Sequence, residues 1–171
     1  MNAQLPNAAE LADLPLTDDA AVLERVATVL RSASRRQVWL LLLDDCRCLL
    51  PTLIPMNLPP RPDHDAASAF APMLGALLSL ADVAHLVLVY ERPGPATPSR
   101  DDLAWLAAFA EAIELAAGSV LGLCFATDPG VRRWELHHDA VDMDAMMQDW
   151  PDEDDHHPDA GGAAARGAGD A

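Results

Sequence analysis

Hydrophobic positions along the chain follow two patterns, helical spacing and short continuous apolar runs. In three segments apolar residues recur every three or four positions, which predicts helices over residues 18–32, 66–80 and 99–117. Five short apolar runs predict strands over residues 37–43, 48–56, 85–90, 120–126 and 131–136. The order helix, strand, strand, helix, strand, helix, strand, strand predicts one α/β domain with a single mixed sheet.

Capping residues and one proline indicate where the predicted helices begin. Thr17 is the expected N-cap of the first helix, because the acidic residues that follow it suit the positive end of a helix dipole. Ser99 is the expected N-cap of the third helix, and Asp102 completes an acidic variant of the capping box. Pro72 lies inside the second helix, whose first turn we therefore expect to kink or to start late.

Two of the strands have a predicted place in the sheet. Residues 44–47 have the composition of a turn, so the first two strands are expected to form a β-hairpin. Pro51 and Pro55 cannot donate to a β-ladder, which places the second strand at an edge. His85–Tyr90 is apolar throughout, which is typical of a strand buried on both faces.

The two ends of the chain differ in composition from its central part. Residues 1–16 show no clear periodicity and are expected to form a flexible arm. Within residues 137–171, eight acidic residues occur between Asp139 and Asp155 with no basic residue among them. Such a segment cannot bury enough apolar surface to offset its ordering entropy, so we expect a mostly disordered acidic tail. The folded domain is therefore predicted over residues 17–136.

One part of this tail has a pattern of its own. Apolar side chains at the spacing of a short amphipathic helix occur over residues 141–150, namely Val141, Met143, Met146, Met147 and Trp150. Such a helix would dock on the domain or on a partner.

The charge of the chain excludes some classes of partner. The net charge is −16, and all eleven basic residues are arginines. A chain this acidic, without a basic stripe, is a poor candidate for binding nucleic acid or anionic membranes. No apolar run approaches the ~20 residues that span a bilayer, and no secretory signal is evident, so a cytoplasmic location is expected. The charge favours solubility or a basic protein partner.

The remaining reactive residues form no recognised catalytic motif. An odd number of cysteines argues against a disulfide scaffold, and Cys46 and Cys48 form a C-x-C pair that is a weak metal or redox signal. We favour a structural role for that pair in the turn. The adjacent histidines at 137–138 and 156–157 lack preorganisation, and we interpret them as incidental to the composition of the tail.

Three stretches of the chain carry a family resemblance. The first strand ends in an Asp-containing turn at Leu41–Asp44, and the central strand Leu86–Tyr90 leads into a Pro-rich loop. The string Thr-Pro-Ser-Arg-Asp-Asp-Leu follows at residues 97–103. Together with the order of elements, these features resemble the JAB/MPN domain, most closely its bacterial RadC-like branch, over about residues 34–136.

The resemblance implies a zinc site, and the chain departs from it. In active members of the family two histidines and one aspartate hold zinc, and a glutamate near the first strand acts on the bound water. Here the histidine positions fall on Tyr90 and Arg92, and the aspartate position on Asp102. The residues near the glutamate position are Arg35, Arg36 and Gln37. We therefore expect a degenerate site with no catalytic residue, no metal and no cofactor.

These departures lead to three interpretations. In the first, Arg92 replaces the metal by a salt bridge to Asp102 or Asp101, and the chain is a non-catalytic JAB-like scaffold or protein-interaction module, with a protein partner or a homodimer. In the second, a hydrolase-like enzyme keeps the crevice with altered, metal-independent chemistry, carried by Tyr90, Arg92, Asp102 and Cys124. In the third, the resemblance is accidental and the domain is another small α/β fold.

Overall fold

The computed structural model describes residues 14–30, 32–116 and 119–135. Its helices are α1 (Asp19–Leu30), α2 (His64–Ser68), α3 (Phe70–Leu78) and α4 (Arg100–Leu115). Its strands are β1 (Gln37–Leu43), β2 (Leu49–Asn57), β3 (His85–Glu91), β4 (Val120–Thr127) and β5 (Gly130–Trp134). The α/β prediction is confirmed, and each predicted strand is present with ends within two residues of those expected.

The strands form one mixed sheet within the described residues, in the order β2-β1-β3-β4-β5. β1 pairs antiparallel with both β2 and β3, and β4 pairs antiparallel with β5. β3 and β4 pair in parallel, and because parallel neighbours need a crossover connection, α4 links them. The predicted central position of β3 and edge position of β2 are both confirmed.

Each face of the sheet carries its own apolar core. Alternate residues of β3 point to opposite faces, so Leu88 belongs to one core and Val89 to the other. The first core is closed by α3 and α4, and it contains the buried rings of Trp105 and Phe109. The second core is closed by α1, through residues such as Val26.

The start of the domain differs from the prediction in two ways. Asp18, not Thr17, caps α1, because Asp18 Oδ1 accepts a hydrogen bond from the Ala21 N–H at 2.9 Å. Leu16, which we assigned to the flexible arm, is buried in the second core, and its N–H donates to the Arg47 carbonyl at 3.0 Å. The chain therefore joins the domain before residue 17, by crossing the turn between β1 and β2.

The second predicted helix is divided into two. A proline lacks the N–H that an unbroken helix needs, and its ring collides with the carbonyl four residues earlier. For Pro72 that carbonyl belongs to Ser68, where α2 ends, and α3 restarts at Phe70. Pro72 then falls in the first turn of α3, where its missing N–H leaves no helical bond unmade. The expected disturbance near Pro72 is therefore present, as a break after Ser68 and not as a late start, since the first helix of the pair begins at His64.

Some predictions concern residues that the structure does not describe. The acidic tail over residues 137–171 and its candidate helix over 141–150 lie outside the described ranges. Among the residues that are described, no helix has the length and apolar character needed to cross a bilayer.

The capping of α1 can be tested by substitution. We expect Asp18→Ala to lower the free energy of unfolding by about 1 kcal/mol, because the Ala21 N–H loses its acceptor and the helix dipole loses a favourable charge. Thr17→Ala is the matched control and should change it by less than about 0.5 kcal/mol. Urea unfolding measures both variants. A larger loss in the Thr17 variant would show that Thr17 is the cap after all.

Candidate functional site

The candidate site lies where β3 ends and α4 begins. β3 and β4 are parallel, and the carboxyl ends of parallel strands, with the N-terminus of a crossover helix, are where α/β proteins usually place functional groups. The loop after β3 returns the chain to Ser99, the N-cap of α4. Asp102 therefore meets the last residues of β3.

Asp102 is held by the start of its own helix. Its backbone N–H donates to Ser99 Oγ at 3.2 Å, and its Oδ2 accepts from the Ser99 N–H at 2.8 Å. This reciprocal pair is the capping box that the sequence predicts, with aspartate in the place of the usual glutamate. The side chain of Asp102 is fully buried, so its carboxylate needs further donors from the protein.

Tyr90 and Arg92 supply those donors. The Tyr90 hydroxyl donates to Asp102 Oδ1 at 2.7 Å, and Arg92 Nε donates to Asp102 Oδ2 at 2.7 Å. The salt bridge that we expected between Arg92 and Asp102 is therefore present. Both carboxylate oxygens are engaged by residues at the two positions where the JAB/MPN resemblance would place histidines.

A second arginine reaches the same carboxylate from the other side of the site. Arg36 immediately precedes β1, near the position that the resemblance assigns to a glutamate. Its Nη1 donates to the Tyr90 hydroxyl at 2.7 Å and lies 3.1 Å from Asp102 Oδ1. The same nitrogen donates to the Pro60 carbonyl at 3.0 Å, which joins the loop after β2 to the site.

The guanidinium of Arg92 is fixed by the loop that follows it. Its Nη2 donates to the Thr97 carbonyl at 2.7 Å and its Nη1 to the Pro93 carbonyl at 3.2 Å. Gly94 has a φ of +113°, and a Cβ at this position would lie 2.7 Å from Arg92 Nη1. The loop therefore needs glycine here both for its backbone conformation and for the space that Arg92 occupies.

Aromatic rings form the floor of the site. The Tyr90 ring stacks on Phe125 of β4 with centroids 5.5 Å apart, and it meets Phe109 of α4 at 5.9 Å. The Arg92 guanidinium lies over the Phe125 ring at 5.3 Å. These apolar contacts exclude water from Asp102 and keep the tyrosine and arginine in one arrangement.

The surroundings shift the acidity of both titratable partners. Burial alone would raise the pKa of Asp102, but hydrogen bonds from Tyr90 and Ser99 and the charge of Arg92 outweigh it, so the pKa of Asp102 is lowered. Burial, together with the hydrogen bond to Asp102, raises the pKa of Tyr90. Asp102 is therefore a carboxylate and Tyr90 a neutral phenol, and neither is poised to transfer a proton at neutral pH.

A second buried carboxylate, at Glu91, was not predicted from the sequence. Glu91 Oε1 accepts from the Ser34 N–H at 2.5 Å, and Oε2 accepts from Gln37 Nε2 at 2.6 Å and Trp39 Nε1 at 2.5 Å. Burial would raise the pKa of Glu91, but these hydrogen bonds lower it. The one feature of the sequence that could have indicated this buried carboxylate is an acidic residue directly after an apolar strand. Its role is to tie the segment before β1 to the end of β3.

The structure separates the four groups of the enzyme interpretation. Tyr90, Arg92 and Asp102 lie together, whereas Cys124 is fully buried in the core on the opposite face of the sheet. Burial raises the pKa of the Cys124 thiol to about 12, so it remains protonated at neutral pH. Cys124 therefore cannot act with the other three groups. The expectation that all four lie in one site is wrong.

The C-x-C pair lies in the turn between β1 and β2, far along the sheet from Asp102. Asp44, Asp45 and Cys46 have ligand atoms within 4.8 Å of one another, and Asp44 is half-buried while the other two are exposed. Asp44 Oδ1 accepts from the Cys48 N–H at 2.8 Å, which stabilises the turn. Exposed acidic groups are common in such turns, and we keep the structural interpretation.

A scan against protein-family models finds no match to this chain, and searches of the curated proteins and of the solved structures find none either. The JAB/MPN resemblance therefore depends on the residues described above and on their arrangement.

The two buried carboxylates predict how stability depends on pH. A carboxyl group whose pKa is lower in the folded than in the unfolded chain stabilises the fold above its unfolded pKa of about 4, and this contribution is lost as the pH falls through the folded value. We expect Glu91→Gln to lower the free energy of unfolding at pH 7 by about 1–3 kcal/mol, because buried donors lose their charged acceptor.

The same variant should lose less stability than the parent chain when the pH is lowered below about 5. Urea unfolding at a series of pH values measures this. Glu114→Gln, which changes an exposed carboxylate of α4, is the control and should leave the profile unchanged. A Glu91→Gln profile parallel to that of the parent would contradict the assignment.

Proposed function

We propose that this chain is a non-catalytic JAB-like domain that serves as a scaffold or protein-interaction module. The observation that carries the proposal is the engagement of both oxygens of Asp102 by Tyr90 and Arg92. These are the two positions where active members of the family would have histidines. The positions of these residues support the proposal as well as their types, since Tyr90, Arg92 and Asp102 are in contact in the structure.

The electrostatics of the site support replacement of a metal by arginine. A zinc ion held by two histidines and an aspartate would bring two positive charges to a buried carboxylate. Arg36 and Arg92 bring two positive charges to Asp102. The arginines therefore keep the charge balance of a metal site without an open coordination position, so no water can be activated there.

A buried site without an activated water is suited to a structural role. Hydrogen bonds among four residues join the segment before β1, the end of β3 and the start of α4. These residues are Arg36, Tyr90, Arg92 and Asp102. Such a network keeps the loops at this end of the sheet in one conformation. A fixed loop surface is what a partner protein needs in order to bind without a large ordering cost.

The sheet edges bear on how a second copy would associate. β2 forms one edge and contains Pro51 and Pro55, which offer no N–H to an added strand. β5 forms the other edge and contains no proline. If the partner is a second copy paired through the sheet, β5 is the edge that fits.

Metal content tests the proposal. We expect the purified chain to contain well under one equivalent of zinc. Arg92→His alone should also bind no zinc, because Tyr90 still occupies one ligand position. The triple variant Arg36→Gln, Tyr90→His and Arg92→His should bind about one equivalent, because two histidines then join Asp102 and no arginine remains beside its carboxylate. Elemental analysis after dialysis against zinc and then buffer gives the stoichiometry.

Adding Asp102→Asn to the triple variant is the matched control and should abolish zinc binding. Zinc near one equivalent in the parent chain or in the single variant would overturn the non-catalytic interpretation. A folded triple variant that binds no zinc would contradict the JAB-like assignment itself.

A further inference from the structure

A groove runs along the outer surface of the helical layer, between α4 and the pair α2–α3. It encloses about 320 Å³ and is lined by small or apolar side chains, namely Ala67, Ala71, Ala108, Ala112 and Leu115. Ser68 and Glu111 also contribute to its lining. Leu115 is 68% exposed, so a large apolar side chain lies open to water at the end of the groove.

The alanines make this groove suited to a helix rather than to a small polar ligand. Small side chains on two neighbouring helices leave a depression into which longer side chains of a third helix can pack. The polar groups available to orient a small ligand in the groove are those of Ser68 and Glu111. An amphipathic helix with long, adaptable apolar side chains is the occupant that this surface fits.

The sequence of the chain contains a segment with this pattern. Met143, Met146, Met147 and Trp150 follow the spacing i, i+3, i+4, i+7, which places four large apolar side chains in one stripe. Asp142, Asp144 and Asp149 fall outside that stripe. Methionine side chains are flexible and fill shallow, irregular apolar surfaces well.

The topology places the end of β5 and the end of α4 at the same end of the sheet. Trp134, at the end of β5, pairs with Leu123 in the first half of β4, and its side chain lies on the sheet face that α4 covers. Leu115 closes α4 just before the chain enters β4, so Leu115 lies at the same end of the sheet. Glu135 and Met143 are eight Cα–Cα steps apart and so span at most about 29 Å, which is more than the ~10–12 Å diameter of the helix that the chain would have to cross.

The lengths also agree. The groove extends along α4 from Ala108 to Leu115, a rise of about 10 Å at 1.5 Å per residue. The apolar stripe from Met143 to Trp150 covers the same number of residues and so has the same helical length.

We propose that residues 141–150 of this chain dock as a helix in the groove between α4 and α2–α3, with Met143, Met146, Met147 and Trp150 against the alanines and Leu115. Ala108 lies about 9 Å along α4 from Asp102, so this contact is independent of the proposed function. The docked helix leaves its aspartates toward solvent and covers Leu115. The acidic residues after Trp150 then begin at the surface of the domain.

The charges at the contact predict how its strength depends on salt concentration. Glu111 lies at the groove, and Asp142, Asp144 and Asp149 flank the apolar stripe, so like charges oppose docking while apolar burial drives it. Added salt screens the repulsion and should strengthen the contact. A contact held by ion pairs would respond in the opposite direction.

Photo-crosslinking of the full chain tests the occupant directly. A photoreactive amino acid in place of Ser68, at the groove, should crosslink to residues 141–150 of the same molecule, as mapped by mass spectrometry at low protein concentration. The same amino acid in place of Leu80, an exposed leucine that does not line the groove, is the control and should not. Crosslinked dimers, crosslinks only to another protein, or no crosslink to residues 141–150 would each overturn the proposal.

Hydrogen exchange measures the strength of the contact. Amides of residues 141–150 should exchange at least about tenfold more slowly in the full chain than in a peptide of the same sequence. Leu115→Ser should bring their exchange within about threefold of the peptide, whereas Leu80→Ser should not. Raising the salt from about 0.05 M to about 0.5 M should increase the protection. Peptide-like exchange in the parent chain, or equal effects of the two leucine substitutions, would overturn the proposal.

Discussion

The fully buried carboxylate of Asp102 is the constraint on which this end of the molecule depends. A buried charge is tolerated only when it is paired and hydrogen-bonded, and Asp102 is satisfied by Ser99, Tyr90 and two arginines. These partners come from the segment before β1, the end of β3 and the start of α4. The parallel pairing of β3 with β4 is what brings them together, because it requires α4 to begin beside the strand that it leaves.

The same constraint supports the proposal that the site is not catalytic. Asp102 is kept ionised by its hydrogen bonds, Tyr90 is kept neutral by burial, and the arginines cannot accept a proton. A general base or a metal ligand needs a free lone pair that faces a substrate. The arrangement is therefore that of a structural network, and it supports the proposal of a domain whose surfaces carry its role.

Much of the fold followed from local signals in the sequence, because those signals have local causes. The prolines of β2, the apolar run of β3 and the capping box at Ser99 and Asp102 each fixed the position of an element. Tyr90 and Arg92 could be selected only through a family resemblance, whereas the capping box also pointed to Asp102. The role of Glu91 could not be predicted, since its donors lie more than fifty positions away in the chain. The predicted cap of α1 was wrong by one residue, because threonine and aspartate are both good N-caps and Thr17 and Asp18 are adjacent.

The most direct test of the central claim is the coupling between Arg92 and Asp102. A double-mutant cycle of Arg92→Met and Asp102→Asn, followed by urea unfolding, measures it. The buried pair should show a coupling energy of at least about 2 kcal/mol, whereas the exposed pair Arg61 and Asp101, measured with the same substitutions, should show less than about 1 kcal/mol. Equal and small coupling energies for the two pairs would contradict the view that arginine locks Asp102.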